Sequence, residues 1–269
     1  MTITPRPDQA QAELHHLYVL MRDIFRGGLA GTLAGVLFLG FGSRVVMRIS
    51  ALLNPEARGV LTENENVVGE ITLGGTLELI IFIGIAGGLL VGTVWVIVRD
   101  WLPRDPPRRL LFAGLLAVFT GSAAVVDAEN RDFQILDPPA LHVAMFVLLV
   151  GLTGIATAGF DGLLEQRLPS GQSASVVFGG LAGLGLVFAL PFLGVFLFFD
   201  AGRLPTWPGG LALIAVAVAT ITGWAGYYAD GEAGLASRPA WHRRLGVGGV
   251  ALFGLLGAAR LASEIEAIL

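Results

Sequence analysis

Long uncharged apolar runs alternate along the chain with short stretches rich in Arg, Asp, Glu and Pro, and the runs are of bilayer length. An α-helix rises about 1.5 Å per residue, so about 20 apolar residues cross the hydrocarbon core. The pattern predicts seven spans: residues 27–43, with helix continuing towards Leu53; 73–98, with Glu78 near its start; 110–126; 140–160; 174–199; 209–229; and 245–262, from which Arg260 can snorkel. Pro191 removes a backbone donor inside the fifth span and predicts a kink there. Ahead of the first span, Leu14, Leu17, Tyr18, Met21, Ile24 and Phe25 recur at helical spacing, which predicts an interfacial amphipathic helix. The expected fold is all-α: a polytopic transmembrane helix bundle of seven spans. Residues 1–26 form a cytoplasmic segment carrying the amphipathic helix, and residues 27–269 form a single membrane domain.

Composition agrees with this pattern. Hydrophobic residues make up 54% of the 269 and charged residues 14%, against about 45–50% and about 25% in soluble domains. Cysteine is absent, which excludes disulfides, thiolate metal sites and thiol chemistry. Lysine is absent too, every one of the 17 cations being Arg, so Schiff-base chemistry is excluded and a retinal linkage has no anchor. Such usage fits a GC-rich bacterial genome. No short apolar core with a small-residue cleavage site follows Met1, so the first span is expected to be a retained anchor.

Arg placement sets the expected orientation. Arg6, Arg22, Arg26, Arg99, Arg104, Arg108, Arg109, Arg167, Arg238, Arg243 and Arg244 fall on one side, and Arg44, Arg48, Arg58, Arg131, Arg203 and Arg260 on the other. The N-terminus is therefore expected in the cytoplasm and the C-terminus outside, in the cytoplasmic membrane. Trp101, Trp207 and Trp241 then lie near span ends. The outer side is acidic, with Glu56, Glu63, Glu65, Glu70, Glu78, Asp127, Glu129, Asp132, Asp137, Asp200, Glu264 and Glu266.

Two internal similarities hint at a parallel repeat of residues 27–126 and 174–262. GGLAG occurs at Gly27 and again at Gly179, and an Arg-Arg-Leu sequence precedes both the third and the seventh span. Glycine also recurs every fourth residue at Gly27, Gly31 and Gly35, and at Gly84, Gly88 and Gly92, with a looser series at Ala215, Ala219 and Gly223. Such stripes let helix backbones approach closely in lipid, and packing within the bundle is the reading favoured over a dimer seam or a pore lining.

Charge supplies the candidate site. Arg44 and Arg48 lie four residues apart on one helix face, and ionisable groups at membrane depth call for partners. Glu70 and Glu78 are the expected ones, either in an interhelical ion-pair network or as the polar floor of a pocket opening outward. Asp127, His142 and Asp200 are weaker candidates, His142 through Asp137 as a proton-responsive pair. The oxygen-rich stretch Glu63 to Asn66 suits hard cations in ligand type but lacks the calcium-loop spacing, so no metal is expected. The four histidines do not pair across spans, so no haem or other cofactor is expected. Catalytic motifs occur in no supporting context, no catalytic residue is assigned, and no basic patch suits nucleic acid. The expected function is transport-class, for a small solute or ion. A structural or assembly subunit, meeting a partner membrane subunit or its own copies, is the alternative, and a lipid-modifying enzyme ranks third.

Overall fold

A computed structural model describes residues 7–63, 67–169, 175–198, 203–236 and 240–269. Among these residues it is all-helical, with no strand beyond an isolated antiparallel bridge between Leu61 and Val67. Five helices are long and apolar enough to cross a membrane: Tyr18–Leu53, Leu73–Trp101, Pro139–Arg167, Trp207–Gly226 and Trp241–Ile268. The other two predicted spans differ. The run at 110–126 is divided among α5 (Pro106–Leu116), a π-helical turn (Ala117–Gly121) and a 3-10 turn (Ser122–Ala124). Within α8 (Ser175–Phe198), which continues through Pro191, the described apolar helix Leu181–Val195 is shorter than a span.

The first rod is α1 (Pro7–Ala34), a π-helical tract (Gly35–Gly42) and α2 (Ser43–Leu53), and it runs without interruption from the segment expected to be interfacial. The second joins α3 (Leu73–Glu78) to α4 (Gly87–Val98) through another π-helical tract, Leu79–Ala86. The Thr72 hydroxyl caps its start by accepting from the Gly75 amide at 3.1 Å. After the short α6 (Asp132–Ile135) come α7 (Pro139–Arg167), α8, α9 (Trp207–Ala236) and α10 (Ala240–Ile268). The helix α7 continues seven residues beyond its expected end at Phe160.

Glycine decides how the first two rods meet. A Cβ on Gly31 would run into the Gly88 carbonyl and the Gly92 backbone, and one on Gly35 would strike the Gly84 carbonyl and Gly88. Gly27 lies against Val96 and Gly92, so both glycine stripes face each other in one seam. Main-chain contact at this range holds helices together in lipid, where burial of apolar side chains gives little net drive.

The bundle has a proximal end, where α1, α4, α5 and α7 converge at Arg26, Arg99, Arg109 and Asp161, and a distal end closed by loops. At the distal end the buried Asn54 side chain donates to the Ser50 and Asp137 carbonyls at 3.0 and 2.9 Å and accepts from the Asp137 amide at 2.7 Å. Glu63 and Asp132 clasp each other's loops: Asp132 accepts from the Glu63 amide at 2.9 Å, and Glu63 accepts from the Arg131 amide at 3.3 Å. Glu264, one of the acids expected on the outer side, is 1% exposed and accepts from the amides of Ala128 and Arg203 at 3.1 and 3.0 Å. A carboxylate that gathers backbone donors from two loops satisfies its lone pairs where no water reaches.

Candidate functional site

The densest set of buried charge sits at the proximal end. Asp161, on α7, accepts at one oxygen from Arg26 Nε at 2.8 Å and from Arg99 Nη1 at 3.0 Å. These three residues are 1%, 6% and 4% exposed, so both guanidinium groups are held away from solvent by a single carboxylate. Asp23 supplies a second acceptor, 3.6 Å from Arg26 and 3.5 Å from Arg99, and Glu165 a third, 3.1 Å from Arg26. Arg109 lies 3.8 Å from the other Asp161 oxygen, with its guanidinium 5.1 Å from the centre of the Trp95 ring. Three Arg and three carboxylates make the set formally neutral, which is the condition for keeping charge buried.

Local structure explains why these side chains meet. Arg26 lies one turn beyond Arg22 on α1, and Arg22 donates to the carbonyls of Glu165, Leu168 and Pro169 at 3.0, 2.9 and 3.2 Å. The Tyr18 hydroxyl adds a bond to Pro169 at 2.7 Å. The last carbonyls of α7 have no partners within the helix, so a cation and a hydroxyl from α1 cap them and fix the two helices in register. Asp161 then falls beside Arg26. On the other flank Asp105 accepts from the Arg108 amide at 3.3 Å and starts α5 at Pro106, which carries Arg109 inward.

Beside this set lies a cleft of about 790 Å³ between α1, α4, α8 and α9, within the proximal half of the bundle. Its walls include Gly28, Leu89, Leu184, Gly185, Ala217 and Ile221. The polar groups in the walls are engaged elsewhere. Thr32 and Thr93 donate to their own helices at Gly28 and Leu89, at 2.9 and 2.8 Å. Thr220 donates to the Ile97 carbonyl at 2.8 Å while accepting from Trp101 Nε1 at 2.8 Å, and Trp224 Nε1 donates to Asp100 at 3.0 Å. The surface presented to a guest is therefore hydrocarbon, with no free hydrogen-bonding group to take the place of an ion's water shell.

The residues expected to form an outward site are arranged differently. Arg48, Glu70 and Glu78 are exposed and Arg44 is half-buried. Among the described residues no ion pair joins either Arg to Glu70 or Glu78; the polar contact of Arg44 is with the Met47 sulfur at 3.8 Å. Asp127 accepts from the Glu129 amide at 2.9 Å, a local loop turn. His142 is buried, with Nδ1 3.0 Å from the Pro138 carbonyl and Nε2 without a partner, whereas Asp137 is exposed and tied to Asn54 through its backbone. Asp200 and the residues Asn64, Glu65 and Asn66 lie outside the described residues. No group of three His, Asp or Glu side chains suited to a metal occurs among those described.

Sequence reasoning passed over Arg26, Arg99, Arg109 and Asp161. Each borders an apolar run on the Arg-rich side, so each reads as ordinary juxtamembrane charge. One signal was present: Asp161 directly follows the fourth run, on the same side as Arg26, which precedes the first, and Arg99, which follows the second. Comparison with protein families, curated proteins and solved structures finds no match to this chain.

Proposed function

We propose that this is a seven-span protein of the cytoplasmic membrane, N-terminus inside and C-terminus outside, of the transport class, whose cargo is an apolar or amphipathic molecule. The observation that carries the reading is the cleft. Its volume of about 790 Å³ lies within the 300–1,000 Å³ that is roughly the range for small-molecule sites, and its wall hydroxyls and indoles are already hydrogen-bonded. A hydrated ion gains nothing there, whereas an alkyl chain or fused-ring hydrocarbon loses nothing. The seventeen Arg, eleven of them on the proximal side, support the orientation.

The test uses full-length protein in vesicles containing a photoactivatable fatty-acyl phospholipid, with a fluorescent headgroup lipid to report movement between leaflets. Cross-links concentrated at Leu89 and Leu184, together with leaflet exchange that drops when Ala217→Trp fills the cleft, are the expected result. Labelling spread evenly over all lipid-facing residues, with exchange no faster than in empty vesicles, rejects the reading.

A structural or assembly subunit is the second reading, favoured by the formal neutrality of Arg26, Arg99 and Arg109 with Asp161, Asp23 and Glu165, which balances the buried charge of this set within the chain. A stable co-purifying membrane chain, or a defined homo-oligomer, would support it.

A further inference from the structure

On α2, at the distal end, Arg44 and Arg48 are left without carboxylate partners although they project one turn apart from a helix at the membrane boundary. The boundary can be located. Arg26 and Arg44 are the first charges on either side of the apolar stretch of α1 and its π-helical tract, and their separation along the rod is roughly 25 Å, close to the roughly 30 Å of a bilayer's hydrocarbon core. With Arg26 locked in the proximal ion set, Arg44 falls at the opposite hydrocarbon boundary, and Arg48 lies one turn further out among headgroups.

Exposure along the rod gives the direction. Leu37, Phe41 and Val45 are 49%, 51% and 59% exposed, and with the exposed Arg48 they form one face at i, i+4, i+8 and i+11 spacing. An apolar helix face at this depth meets acyl chains, so Arg48 sits within the lipid-facing surface. Arg44 lies at its edge, half-buried, with Nη1 3.8 Å from the Met47 sulfur and Nε buried within the protein. Arg48 is exposed and has no ion-pair partner among the described residues; a guanidinium left so beside lipid is unfavourable unless an anion takes its donors, and planar guanidinium donors match the paired oxygens of a phosphodiester.

The geometry points to Arg44 and Arg48 as a binding site for the phosphate of an anionic phospholipid in the distal leaflet, with its chains lying along Val45 and Phe41. The carboxylates that would otherwise neutralise the pair, Glu70 and Glu78, are exposed and lie beyond ion-pair distance. This site is separate from the apolar cleft, which lies in the opposite half of the bundle, and does not depend on it.

Native mass spectrometry of detergent-solubilised protein, exchanged into micelles doped with equal phosphatidylglycerol and phosphatidylcholine, tests the assignment. Wild type should retain phosphatidylglycerol in preference. Loss of a charged hydrogen-bond donor corresponds to roughly a tenfold drop in retention, expected for Arg48→Gln, whose exposed position keeps the fold intact, and more for Arg44→Gln with Arg48→Gln. Arg48→Lys should keep part of the preference. Equal retention of both lipids by wild type, or unchanged retention in the double variant with its gel-filtration profile preserved, overturns the proposal. Inorganic phosphate titrated into the same sample separates the sources: displacement of the lipid by phosphate alone marks a bare anion site and rejects the lipid assignment.

Discussion

With one oxygen shared between Arg26 and Arg99, Asp161 holds two nearly solvent-free cations on a single side chain. Such a carboxylate is far more costly to lose than its net contribution suggests, because its removal leaves both partners only the more exposed Asp23 and Glu165 as anions. Asp161→Asn keeps the shape and abolishes the charge. Since breaking a buried pair costs about 3–5 kcal/mol, the variant should lose about that much stability in chemical or thermal unfolding in detergent; a loss under about 1 kcal/mol would mean that the guanidinium groups find other anions. Asp132 gives the opposite case at the distal end. Burial pushes its carboxyl up from the ordinary aspartate value, with the Glu63 charge adding to the rise and the Glu63 amide and Arg131 opposing it. The folded chain therefore holds this proton more tightly than the unfolded chain. That contribution is complete below the ordinary value and fades as pH rises through the raised one. Asp132→Asn mimics the protonated group, so the melting temperature of wild type should fall relative to the variant as pH rises above the ordinary aspartate value. A difference that does not vary with pH removes the assignment.

Among the elements, the glycine seam decides the geometry of α1 against α4, and every later contact inherits its register. Gly88 has the Gly31 carbonyl 2.6 Å and the Thr32 Cα 2.8 Å from where a Cβ would stand, and both are backbone atoms that cannot rotate away. Gly88→Val should therefore separate the rods at a cost of about 1–3 kcal/mol or more, whereas Gly162→Ala on α7, with open space around it, should be near neutral. Parallel denaturation curves for the two variants give the comparison; equal curves would mean that the seam is not a tight one. Much of this level was legible in the sequence. The recurrence of Gly at every fourth position in the first and second runs marks both faces that meet, and the bounds 73–98 coincide with the second rod because an uncharged run ends where Arg99 begins. The division of the third run was not legible. An apolar stretch has the same hydropathy whether its hydrogen bonds span three, four or five residues, so no periodicity announces the π-helical and 3-10 turns at 117–124.

For the whole molecule, the two ends are closed by different chemistry: mostly ion pairs between side chains at the proximal end, and side chains bonded to loop backbone at the distal end. The sequence shows how charge divides along the chain but not which charges become buried, because depth along a helix axis and facing direction are fixed only when the helices pack together. Arg44 and Arg48 drew attention by their spacing, and Asp161 did not because it stands alone in sequence at the end of a run. Chain order adds a consequence to the Asp161 set. A ribosome delivers Arg26, Arg99 and Arg109 long before Asp161 and Glu165, so during synthesis the early helices have, of the three carboxylates in this set, Asp23 alone to set against three Arg. In the proposed orientation, those residues would serve first as determinants that stop translocation. They become structural cations once α7 arrives with the shared carboxylate, making the emergence of α7 the moment at which the nascent bundle can lock.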